Sequence, residues 1–86
     1  MKSATIEEIC KELNLNNEVI KKANRLKEEV KIKTDRLNCG IVYIACFLER
    51  TKRLQIDFKK WISTVTLRKH YKKVIEIVGE EKLYEL

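Results

Sequence analysis

Proline is absent from this chain, and glycine occurs only twice in 86 residues. Proline breaks helix interiors and glycine weakens them. Their scarcity argues against a loop-rich chain and suits a helical bundle with short turns. Histidine occurs once, at His70, and the three cysteines, Cys10, Cys39 and Cys46, form no C-x-x-C pair. That count and spacing exclude a disulfide framework and a zinc site. The cysteines fall on apolar helical faces, as small hydrophobes do, so no metal or other cofactor is expected. No Ser-His-Asp set, phosphate-cradling glycine loop or paired-carboxylate site is evident. The expectation is therefore no enzyme and no small-molecule substrate. No apolar run approaches the roughly 20 residues that span a bilayer, and the opening MKSATIEEICKEL has no signal-peptide core. A soluble intracellular protein without membrane contact is the default, folded as one domain over residues 1–86 around a single modest core.

The longest apolar run is LNCGIVYIACFL, Leu37 to Leu48, broken only by Asn38. An element apolar on every side must be surrounded. The run is long for a strand and carries small residues that let other backbones approach. It is read as a central helix, with Thr34 and Asp35 as its caps. Ahead of it, Thr5-Ile6-Glu7-Glu8 has the form of a capping box, and Ile6, Ile9, Cys10 and Leu13 follow at helical spacing. The segment Asn14 to Asn17 breaks that helix and offers Asn16 or Asn17 as the next cap. Val19, Ile20, Ala23, Leu26 and Val30 then mark an amphipathic second helix.

Beyond the central run, Arg50 to Arg53 forms a basic turn. A short helix is expected over Gln55 to Ile62, held by Ile56, Phe58 and Trp61 or Ile62. Trp61 is read as a core anchor rather than a base-stacking platform. Ser63 or Thr64 turns the chain into a last long helix whose core stripe is Leu67, Tyr71, Val74, Ile75 and Val78. Gly79 is its stop, and the tail EEKLYEL can add a turn. Tyr43 and Tyr71 are expected to bury their rings and hydrogen-bond through their hydroxyls. The fold class is all-α: five helices around a central apolar one, ending in a helix-turn-helix.

Charge is unevenly placed. The net charge is +6, yet Arg50 to Lys73 holds nine Lys or Arg against one acid, Asp57, while the remainder is net −2. A contiguous basic stretch points to a polyanion or an acidic protein surface as partner. On the last helix, Val65, Arg68, Lys69 and Lys72 fall at i, i+3, i+4 and i+7, opposite the core stripe. Ser63 and Thr64 sit at its amino end. Such a helix can enter a DNA major groove, with Arg68 reaching a guanine edge and Val65 a thymine methyl. Lys59, Lys60, Lys69, Lys72 and Lys73 would then meet phosphates, which position without reading sequence. His70 sits among these lysines, within reach of a phosphate.

These features resemble one cyclin-like repeat of transcription factor IIB and its archaeal counterpart. Gly40-Ile41-Val42-Tyr43-Ile44-Ala45-Cys46 is similar to that family's central helix, although Asn38, Cys39, Gly40 and Ile41 replace its usual alanine run. Val65-Thr66-Leu67-Arg68-Lys69-His70-Tyr71-Lys72 fits every position of its last-helix pattern, which is characteristic of the second, C-terminal repeat. IEEICKELNLNNEVIKKA fits the first two helices, so the similarity spans about Thr5 to Gly79. The resemblance implies promoter DNA as ligand, base contacts by the positions of Val65 and Arg68, and TATA-binding protein and RNA polymerase as partners. It implies a nuclear location in a eukaryote or a nucleoid-associated one in an archaeon. The Lys-, Glu- and Ile-rich composition leans towards an archaeal source.

The departures are a missing zinc ribbon, a missing second repeat, Leu54 in place of a capping threonine, and a turn before Val65 about two residues short. An excised repeat or a small stand-alone relative is expected, and a domain that keeps the fold without DNA contact is a further possibility. The rival class is a protein-interaction module whose basic stretch docks on an acidic partner surface.

Overall fold

A computed structural model describes residues 4–31 and 35–86. The chain builds α1 (Ile6–Glu12), α2 (Asn17–Val30), α3 (Asn38–Leu48), a single 3-10 turn (Gln55–Phe58), α4 (Thr64–Val78) and α5 (Glu80–Glu85). No strand occurs among the described residues, and none of the helices there is long and apolar enough to cross a membrane. α3 is the axis: α1, α2 and α4 all pack against it. Eight of its eleven residues are buried, as a helix apolar on every side requires.

Local chemistry sets most of the boundaries. The Thr5 hydroxyl accepts from the Glu8 amide at 3.1 Å, and the Asn16 side chain accepts from the Val19 amide at 3.0 Å. Each satisfies an amide that a helix start leaves orphaned. α1 and α3 both finish in Schellman motifs. Leu15 N–H bonds to Cys10 O and Asn14 N–H to Lys11 O; Thr51 N–H bonds to Cys46 O and Arg50 N–H to Phe47 O. Asn14 and Arg50 hold the left-handed position of these motifs, at φ 55° and 56°. Lys31 ends α2 in the same region, at φ 61°. Left-handed backbone costs a residue with a Cβ about 1 kcal/mol or more. Lys31→Gly is therefore expected to raise stability by up to about 1 kcal/mol, an upward melting shift of roughly 4–8 °C. No shift in a calorimetric scan would contradict that backbone geometry.

Four expectations change. The start of α3 has no side-chain cap: it begins at Asn38 after Leu37, and Asp35 instead accepts from the Asn38 side-chain amide at 3.0 Å. Thr34 lies outside the described residues. The short helix expected over Gln55–Ile62 is one 3-10 turn ending at Phe58. Phe58 is the one fully buried residue of that segment, with Trp61 and Ile62 only half-buried against the core and Ile56 exposed, so no second turn of α-helix is rewarded. Its missing threonine is offset from the other end, because the Asp57 carboxylate accepts the Leu54 N–H at 2.8 Å. Lastly, the tail is a helix, with Leu83 buried against the core. Lys82 anchors it to Glu29 of α2 at 3.0 Å.

The cysteines are all buried, and burial pushes each thiol up to about 11. At neutral pH they stay protonated.

Candidate nucleic-acid interface

Gln55 to Val78 is not one rod. After Phe58 the chain turns through Lys59–Ser63. The Phe58 carbonyl accepts from both Trp61 N–H, at 3.0 Å, and Ile62 N–H, at 3.1 Å. The Trp61 ring packs against Phe58 with centroids 6.4 Å apart. Trp61 is half-buried and packs against the core, as an anchor there should. The corner is thus a 3-10 turn, a five-residue turn and a long helix, rather than two α-helices at a tight bend.

Ser63 starts α4. Its hydroxyl accepts from the Thr66 amide at 3.2 Å and donates to the Thr66 hydroxyl at 3.0 Å. Ser63 is exposed and Thr64 half-buried. Leu67 and Val74 point into the core, with Tyr71 and Ile75 half-buried beside them. The Tyr71 ring stacks on Tyr43 at 5.0 Å. Among the described residues neither tyrosine hydroxyl has a hydrogen-bond partner, so only the ring half of that expectation holds.

The opposite face of α4 is open. Val65 is 62% exposed, and Arg68, Lys69, Lys72 and Lys73 are exposed with it. None of the four bases forms an ion pair among the described residues. Lys59 is exposed too. Lys60 differs: its ammonium lies 2.6 Å from Glu12 and 5.9 Å from the Trp61 ring centre. An exposed pair of this kind is weak and screened by salt, so Lys60 can exchange partners but starts out engaged. Glu12 in turn is held below the usual carboxylate range by that hydrogen bond.

His70 is half-buried, and its Nδ1 is buried without a hydrogen-bond partner among the described residues. Burial, and then the charge of Arg36, hold its imidazole below the ordinary value of 6.5. Between its folded pKa and 6.5 the unfolded chain binds the proton more readily than the folded one. Stability contributed here is present above 6.5 and lost as pH falls below it. Thermal melts from pH 7 to 5.5 should show a decline that His70→Gln flattens. An unaltered pH profile in that variant would assign the decline to other groups. Glu12 and Asp35, held low by Lys60 and Lys27, add losses only at more acid pH.

Sequence spacing missed Arg36. It precedes α3 in the chain, yet its charge reaches His70 on α4. No periodicity within one helix reports a neighbour supplied by another.

The all-α bundle wrapped around one apolar helix is consistent with a cyclin-like repeat. The chain matches the transcription factor TFIIB repeat over residues 2–77; it belongs to that family, whose members are domains of transcription factors. Neither the curated proteins nor the solved structures include one that matches it.

Proposed function

We propose that this domain binds double-stranded promoter DNA through the outward face of α4. The observation that carries the proposal is the row Arg68, Lys69, Lys72 and Lys73, exposed and unpaired with any acid among the described residues. Phosphates are the natural counter-charge for such a row. Lys69, Lys72, Lys73 and Lys59 neutralise phosphates, and Lys60 joins them by releasing Glu12. Arg68 reads a base edge by two hydrogen bonds, and Val65 contacts a thymine methyl. Ser63 and Thr64, at the amino end of α4, lie beside the backbone. The VTLRKHYK motif supports the role of a second, C-terminal repeat. TATA-binding protein and RNA polymerase are the protein partners that go with that role.

Fluorescence anisotropy with promoter and random duplexes across a salt series tests this. With about five phosphates contacted, log affinity should fall against log salt with a slope near −4 to −5. Lack of binding at low salt, or a slope near zero, removes the proposal.

A further inference from the structure

One hydroxyl stands apart from the rest. Thr5, Thr51, Thr64 and Thr66 are half-buried, and Ser63 is the one exposed serine or threonine among the described residues. It closes the turn Lys59–Ser63. Among the described residues its side chain bonds only locally, accepting from the Thr66 amide at 3.2 Å and donating to the Thr66 hydroxyl at 3.0 Å. No tertiary contact there withdraws the oxygen from solvent.

The segment ahead of it is both basic and loosely held. Lys60 and Lys59 precede Ser63 by three and four residues, and both are exposed. Between them and the serine, Trp61 and Ile62 are only half-buried against the core. A turn with so little buried apolar surface opens at lower cost than a packed helix, which lets an enzyme draw it into an extended pose. Protein kinases choose substrates partly by the charge pattern around the hydroxyl, and here that pattern is a pair of lysines followed by an accessible serine. Capping accounts for a serine at this position; its exposure just beyond Lys59 and Lys60 makes it reachable as well.

We propose that Ser63 is a phosphorylation site for a kinase that reads basic residues, and that the phosphate turns off duplex binding by α4. This rests on the DNA-binding role of α4 and adds the regulation of that face. The phosphoryl donor is a nucleoside triphosphate. Ser63 Oγ bonds to the γ-phosphorus, the bond from that phosphorus to the β–γ bridging oxygen breaks, the hydroxyl proton passes to the kinase's base, and the nucleoside diphosphate leaves. Phosphoserine carries about −1.5 to −2 charges at pH 7. It enters the stretch Arg50 to Lys73, where nine bases face one acid, Asp57. There it occupies lysines that would otherwise meet DNA and repels the phosphates of an approaching duplex. The same charge is favourable for the fold, because it lies at the start of α4, where anions are stabilised. Duplex affinity and thermal stability therefore move in opposite directions, which a damaging change at this position does not produce.

The test compares the full chain with the same chain carrying phosphoserine at position 63, introduced by site-specific incorporation. In anisotropy titrations near 0.1 M salt, duplex affinity should fall about tenfold or more, alike for promoter and random sequences, while the melting temperature holds or rises. Ser63→Asn keeps a capping side chain without the hydroxyl or the charge and measures what loss of the hydroxyl alone does. Ser63→Asp, a cap with a single negative charge, should fall between Ser63→Asn and phosphoserine. A kinase that prefers basic residues, given ATP, should label the parent chain and leave Ser63→Asn unlabelled. Failure to label the parent, labelling that persists in Ser63→Asn, a phosphoserine loss no greater than that of Ser63→Asn, or a melting temperature that falls along with affinity would each overturn the proposal. A parent chain that ignores duplexes at low salt brings down the DNA-binding reading and this one with it. A parent that binds, with a phosphoserine form that binds equally well, brings down this one alone.

Discussion

Gly40→Ala should lower stability by about 2 kcal/mol, against the direction that helix propensity alone gives. Alanine is worth up to about 1 kcal/mol more than glycine in a helix interior. At this position, however, a Cβ would lie 2.8 Å from the Tyr71 amide nitrogen, 3.0 Å from the His70 carbonyl carbon and 3.1 Å from the Tyr71 Cα. These are backbone atoms of α4, and they cannot swing aside as a side chain can. Relief requires α4 to move away from α3, opening the stacked Tyr43–Tyr71 contact and the packing around Leu67. Overpacking of this kind costs about 1–3 kcal/mol. For a domain of this size 2 kcal/mol corresponds to a fall in melting temperature of roughly 8–16 °C. A melting temperature that rises in the variant would show that the helices do not cross at Gly40. Because α4 carries the proposed interface, the variant should also bind DNA more weakly than its folded fraction accounts for.

Lys69→Glu combined with Lys72→Glu is expected to weaken binding to every duplex roughly hundredfold near 0.1 M salt. Each phosphate contact contributes close to one unit of salt slope, so the slope itself should become shallower by about two. Both side chains are exposed and form no ion pair among the described residues, and the melting temperature should stay within a few degrees. Arg68→Ala makes the contrast. If Arg68 contacts a guanine edge, its loss removes about 1–3 kcal/mol of discrimination at one base pair and relaxes sequence preference more than it lowers overall affinity. Promoter and random duplexes that lose affinity equally in Arg68→Ala would make Arg68 another phosphate contact. A double lysine variant that binds as the parent does would move the interface off α4.

The central helix was legible because it has no polar face at all. α1, α2 and α4 were legible because Thr5, Asn16 and Ser63 announce their starts and their apolar residues repeat at helical period. The 3-10 turn was not, because Ile56, Phe58 and Ile62 look equally fit to be buried and only Phe58 is. The final helix was seen only as a possible extra turn. Six residues carry too little periodicity, and what holds them is Leu83 in a gap between distant helices together with Lys82 on Glu29.

The order of apolar and charged residues by itself determined an all-α chain, an enclosed central helix and a last helix with one basic face, since helical period and charge are local properties of the sequence. Family membership follows from the same string of residues. Only the tertiary structure decided that Gly40 is where two backbones touch, that Lys60 is held by Glu12 while Lys69 and Lys72 form no ion pair among the described residues, and that Phe47 and Tyr84 line one depression. Each of these depends on residues tens of positions apart being brought within a few ångströms, and that proximity arises from packing the whole core at once.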